Sequence, residues 1–115
     1  MPIMRAHSRW VATDTATVQV KGEIDLSNAG ELAGVADNLD GAAVIIVDMS
    51  GVSFLGAAGV AALLRLAVRL SLTGRHLLLT GTDHYPVRRP IAIFGLDTIL
   101  GCRSTTAASS GKSSA

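Results

Sequence analysis

One cysteine, Cys102, stands among the 115 residues. It excludes an intramolecular disulfide and suits a reducing compartment such as the cytosol, and its expected role is an inert thiol near the end of the fold. Aromatic residues are as scarce: Trp10, Phe54, Tyr85 and Phe94 are all there are, against a hydrophobic fraction of 49%, so the core must be aliphatic. The net charge of +1 removes any global electrostatic case for nucleic acid or an anionic membrane as a partner. The uncharged run from Met49 to Leu64 is broken by glycines and is 16 residues long, short of the ~20 that span a bilayer. The opening residues MPIMRAHSRW lack the apolar centre of a secretion signal. These absences set the expectation of a soluble, cytoplasmic protein with no membrane contact.

Catalytic ingredients are missing too. Glu23 and Asp25 are paired carboxylates, but no His, Cys or third acid accompanies them at ligand spacing, so no metal is expected. No Ser-His-Asp arrangement comes with a supporting motif. The small-residue segment Gly56-Ala57-Ala58-Gly59 is neither G-x-x-x-x-G-K-[ST] nor G-x-G-x-x-G, and no lysine stands near it. The expectation is a binding module without a cofactor, not an enzyme. Its length fits one domain. Residues 1–60 carry three bases against seven acids, and residues 61–115 carry seven bases against two acids. That asymmetry is either two faces that steer a partner or plain solvated surface, and both readings stand.

What is present is organised around Val44 to Leu72. Val44-Ile45-Ile46-Val47 is β-branched with no polar alternation, the pattern of a central strand covered on both faces. It ends at Asp48, and Ser50-Gly51-Val52-Ser53 reads as a turn. A helix is expected from about Ala57 to Leu72, with Val60, Leu63, Leu64, Ala67, Val68 and Leu70 on its apolar face, Arg65 and Arg69 opposite, and Gly74 closing it. The mouth of such a strand-to-helix turn gathers free N–H groups and the positive end of the helix dipole, which suits an anion or a partner's side chain.

Upstream, Ser8 to Ala12 is a candidate edge strand, Asp14-Thr15 a turn, and Ala16 to Lys21 an alternating strand that pairs back as a hairpin. Gly22-Glu23-Ile24-Asp25 follows, with Asp25 expected to cap local backbone. A helix is expected over Asn28 to Asn38 with Ser27 as N-cap. Downstream, His76 to Thr80 reads as a buried strand. Tyr85 to Phe94 reads as a helix that Pro90 shortens, kinks or delays until near Arg89. Thr98 to Leu100 reads as a closing strand or turn.

Together these segments resemble the STAS domain family, the anti-sigma factor antagonists. The resemblance spans about residues 16–100. It is carried by Gly22-Glu23-Ile24-Asp25, by Asp48-Met49-Ser50-Gly51-Val52-Ser53-Phe54-Leu55, by Ala57-Ala58-Gly59-Val60-Ala61-Ala62-Leu63-Leu64, by Val87-Arg88-Arg89 and by Phe94-Gly95-Leu96-Asp97. The family's usual D-S-S-G, whose second serine is phosphorylated by an anti-sigma factor that is itself a Ser/Thr kinase, falls on Gly56-Ala57-Ala58-Gly59. Gly56 replaces the Asp, Ala57 the first Ser, and Ala58 the phosphoacceptor.

The resemblance implies an α/β, SpoIIAA-like STAS fold over residues 1–102, a small mixed β-sheet with helices packed mainly on one face. Residues 103–115, rich in Ser and Ala and without a large apolar side chain, are expected to form a flexible tail. The implied function is to bind a kinase-like anti-sigma factor and so free a sigma factor for transcription, with no direct nucleic-acid contact. With Ala58 in place of serine, phosphorylation at the usual site is lost. The alternatives are a constitutive STAS adaptor for another protein, or a STAS domain that binds a nucleotide or other small ligand. The partner surface is expected to comprise Glu23, Asp25, Asp48, Ser50, Ser53, Gly56, Ala57, Ala58, Gly59 and Arg65. Ser53 is expected to be first of all a structural hydroxyl.

Overall fold

In the computed structural model residues 3–93, 95 and 101–103 are described, the last three by backbone alone. Of the expected tail 103–115, residues 104–115 lie outside the described residues, as do the expected closing segment 98–100 and most of the motif at 94–97, whereas Arg103 is part of a strand rather than of the tail. In chain order the elements are β1 (Met4–Trp10), β2 (Thr15–Ile24), α1 (Glu31–Asp37), β3 (Val44–Leu55), α2 (Ala57–Ser71), β4 (His76–Thr80), α3 (Tyr85–Ile93) and β5 (Gly101–Arg103). The strands form one sheet in the order β1-β2-β3-β4-β5. β1 pairs antiparallel with β2, and the other pairings are parallel. The sheet is therefore mixed.

The hydrophobic alternation places the helices. Ala16, Val18 and Val20 of β2, Ile45, Val47 and Met49 of β3, and Leu77 and Leu79 of β4 are buried in one cluster with Leu32 and Ala36 of α1, Val60, Leu63, Leu66 and Leu70 of α2, and Val87 and Ile91 of α3. The core is aliphatic, with no aromatic side chain buried among the described residues. On the other face Gln19 and Lys21 are exposed, and Val44, Ile46 and Asp48 are only half-buried. The expectation that Val44 to Val47 is covered on both faces is thus corrected. Its β-branched run supplies strand propensity on both sides but a helix layer on one.

Other boundaries also differ from the sequence expectation, among them those of β2, which spans Thr15–Ile24 rather than Ala16 to Lys21. β1 starts at Met4 and stops at Trp10, because its ladder with β2 runs from Met4↔Gly22 to Trp10↔Ala16. β3 does not end at Asp48 but continues through the expected turn to Leu55, its partner β2 running alongside to Ile24 with two register shifts. α1 begins three residues later than expected, with Gly30 rather than Ser27 at its N-cap. Its preceding residues are held in turns by Asn28 N–H and Ala29 N–H donating to Asp25 O.

α3 begins at Tyr85, ahead of Pro90, and contains that proline. The first turn is closed by Val87 N–H and Arg88 N–H donating to His84 O, while the His84 ring meets Val52 O at 2.7 Å. Burial of Val87 and Ile91 offsets part of the ~3 kcal/mol that an interior proline costs. In α2, Leu66 is buried while Val68 is half exposed at 51%, so the apolar stripe lies slightly off the expected face.

Candidate functional site: the mouth of the second helix

β2 and β3 end side by side at Ile24↔Leu55, and α2 starts two residues later. Gly56 makes the corner: its N–H donates to Ile24 O at 2.9 Å, and its own carbonyl accepts from Gly59 N–H at 3.0 Å and Val60 N–H at 3.1 Å. It is the N-cap of α2 in extended conformation, with no side chain to cap with. The N–H groups of Ala57 and Ala58 precede the first intrahelical bond. Gly59 sets how closely the helix sits: a Cβ there would lie 2.7 Å from Ile24 Cγ2 and 2.7 Å from Leu55 Cδ1. Ala57 is exposed, and Ala58, half-buried, leans on the core cluster.

The acidic flank is built by turns. Asp25 Oδ1 accepts from Ser27 N–H at 2.9 Å and from the Ser27 hydroxyl at 2.7 Å, so the carboxylate is partly spent on local backbone. Asn28 is buried and bridges the same loop: its Oδ1 accepts from Asp25 N–H at 3.0 Å and its Nδ2 donates to Glu23 O at 2.9 Å. Placing Asn28 on a helix hid this role, although Asp-x-Ser-Asn is a turn signature. Glu23, opposite Phe54 in the ladder, is exposed.

Not all of the expected surface converges here. Asp48 stands seven residues before Leu55, roughly 20 Å away along a strand rising ~3.3 Å per residue. There it accepts from Ser50 N–H at 3.0 Å and lines, with His7, Ser8, Arg9, Thr17 and Gln19, a hollow of about 500 Å³ on the helix-free side of the sheet. The carboxylate expected at the mouth is therefore on another face, because β3 is longer than its sequence suggests. Ser50 lies beside Asp48, whereas the exposed Ser53 is near the mouth. Arg65 is eight residues into α2, about 12 Å from Ala57 at ~1.5 Å per residue, and lines with Arg69 a hollow of about 210 Å³ between α1 and α2.

The sequence expectation also passed over an apolar groove of about 290 Å³ beside the mouth, lined by Phe54, Leu55, Tyr85, Pro86, Arg89, Pro90 and Ile93. Phe54 joins it to the corner, its ring edge 3.1 Å from where a Gly56 Cβ would stand. Its signal was Phe54 itself, an apolar side chain three residues before the helix start. Among the described residues no group of three or more His, Cys, Asp or Glu is placed to hold a metal, and no helix is long and apolar enough to cross a membrane.

The chain belongs to the STAS domain family: the family model described as "Mlab, STAS domain" matches residues 10–101. No curated protein matches the sequence. Among solved structures, an anti-sigma factor antagonist from Mycobacterium paratuberculosis is 27% identical, with a TM-score of 0.72 over 87% of this chain and 85% of the other. The anti-sigma factor antagonist SpoIIAA in its unphosphorylated form is 18% identical, with a TM-score of 0.74 over 90% of this chain and 92% of that one. The Bacillus cell fate determinant SpoIIAA in its phosphorylated form gives 18% and 0.65 over 90% and 96%. The last two likenesses show the fold, which is the SpoIIAA-like mixed sheet with its helices mainly on one face.

Proposed function

We propose that this chain is an anti-sigma factor antagonist whose docking surface is the mouth of α2 with its flank at Glu23 and Asp25. In this reading it is held permanently in the condition that other family members have when unphosphorylated. The 27% identity to an anti-sigma factor antagonist supports the class. The observation that carries the finer reading is Ala58, the second residue of α2, half-buried at the rim of the mouth. A phosphoserine there would add about two negative charges, which break a docking contact by repulsion and desolvation. A methyl group cannot be charged. The partner is a kinase-like anti-sigma factor, its capture frees a sigma factor, and the abundance of the antagonist sets the output.

Capture of partners from the native cell with the tagged chain, followed by mass spectrometry, tests the reading. A kinase-like anti-sigma factor is expected, released by Ala58→Glu. Incubation of the pair with ATP is expected to leave the intact mass of the antagonist unchanged, and a phosphate mapped between Ser50 and Ser53 would overturn its permanence. The absence of all three motif side chains at Gly56, Ala57 and Ala58 favours a second reading, a constitutive adaptor for another protein. Recovery of a partner with no kinase fold, insensitive to Ala58→Glu, would establish that instead.

A further inference from the structure

The groove beside the mouth has the features of an anchor pocket. Phe54, Tyr85 and Ile93 are 49%, 59% and 61% exposed, and they are contiguous around one depression. Scattered exposed apolar side chains need no explanation, but a contiguous patch marks an interaction site. The walls are stiff: two aromatic rings with two side-chain torsions each, and Pro86 and Pro90 with fixed backbone, so little entropy is lost when the pocket is filled. The rim is cationic. The Arg89 guanidinium stands 5.8 Å from the centroid of the Tyr85 ring, Arg88 beside it is exposed, and α3 carries no acidic residue.

We propose that this groove takes one large apolar side chain from an acidic segment of the anti-sigma factor, with a carboxylate of that segment engaging Arg89. This rests on the function proposed above and adds the chemistry of the partner. The apolar floor selects a leucine- or phenylalanine-like anchor, and the planar guanidinium, steadied on the Tyr85 face, selects a carboxylate through paired hydrogen bonds. The groove meets the mouth of α2 through Phe54, so one partner engages both, and the anchor supplies the grip that the small side chains at Gly56 and Ala57 do not.

The test places the photo-cross-linking residue p-benzoylphenylalanine at position 93, or separately at position 57, in the full chain expressed in the native cell, and sequences the cross-linked peptides. The expected result from position 93 is an anti-sigma factor peptide with Asp or Glu within about four residues of the cross-link. Arg89→Glu is then expected to weaken binding of a synthetic copy of that peptide about thirtyfold, the size of a hot-spot contact, with Lys in place of the peptide's acid restoring it. A cross-link from position 57 alone, a peptide without a nearby acid, a second copy of this chain at position 93, or no effect of Arg89→Glu would overturn the anchor while leaving the proposed function standing. No anti-sigma factor peptide from either position would overturn both. Ile93 is largely exposed, so its replacement leaves the fold intact.

Discussion

Gly81 sits between β4 and α3 with φ +69°, and a Cβ built on it would lie 2.4 Å from Ser50 N, 2.8 Å from Ser50 Cα and 2.8 Å from Asp48 Oδ1. Gly81→Ala therefore incurs two separate costs. The left-handed backbone costs an alanine about 1–2 kcal/mol. The overlap is with the β3 backbone, which the ladder holds, so the loop must retreat by at least about 0.6 Å to bring the shortest contact to 3.0 Å. Overpacking of this kind costs about 1–3 kcal/mol, and the total is about 2–5 kcal/mol. Gly74 provides the control: its φ is +74°, but nothing lies within 4 Å of its Cβ position, so Gly74→Ala incurs the first cost alone. Urea unfolding followed by far-ultraviolet circular dichroism measures both. Gly81→Ala is expected to be the less stable of the two by about 1–3 kcal/mol, with faster hydrogen exchange at Ser50 N–H, whose bond to Asp48 the retreat disturbs. Equal losses in the two variants would refute the claim that the turn is packed against β3.

The other structural predictions are of graded size. Asn28→Ala strands Glu23 O and Asp25 N–H and is expected to lose about 2 kcal/mol in the same assay. Asn28→Asp is expected to recover little of it, because a carboxylate cannot donate to Glu23 O. Arg75 donates from Nε to Ala42 O at 2.7 Å and from Nη2 to Leu39 O at 2.8 Å, a fork that an ammonium does not reproduce. Arg75→Lys is therefore expected to lose about 1–2 kcal/mol. Arg69 and Asp37 form an ion pair between side chains 51% and 61% exposed, so Arg69→Ala is expected to change stability by less than about 1 kcal/mol, less still in high salt.

Periodicity made β2, α2 and β4 legible, and the ordered motifs made the family legible. What escaped were features fixed by neighbours far along the chain. Ser50-Gly51-Val52-Ser53 has turn chemistry, yet it forms part of β3 because the β2–β3 ladder absorbs extra β3 residues between the pairs Gln19↔Asp48 and Lys21↔Gly51, and again between Gly22↔Val52 and Glu23↔Phe54. Such bulges depend on the partner strand. At Gly51 a Cβ would lie 2.7 Å from Lys21 Cγ, a constraint that no local pattern reveals. The same elongation carried Asp48 away from the mouth and brought Phe54 to it. Of the outcomes that Pro90 suggested, a short, kinked or late helix, the late start did not occur: α3 begins at Tyr85, with Val87 and Ile91 buried on the helix that walls the groove.

The geometry also ranks what a partner gains from each part of the surface. Covering the Ala57 methyl contributes at most ~0.8 kcal/mol, whereas Phe54, half exposed, and Ile93, largely exposed, offer at least ~1 kcal/mol apiece when covered, from the ~1.5–3 kcal/mol of a fully buried side chain. In the proposed interface the mouth is thus permissive and the groove adhesive: one is to stay uncharged, the other to be filled. Titration of the purified anti-sigma factor by calorimetry separates the two roles. Ala57→Ser is expected to change affinity by less than about 0.5 kcal/mol and Ile93→Ala by about 1 kcal/mol, a factor of about five. Ala58→Glu is expected to exceed both, because it buries a carboxylate against the half-buried edge of the core. A stronger effect at Ala57 than at Ile93 would mean that the mouth itself provides the grip, and would remove the reason for placing the partner's anchor against α3.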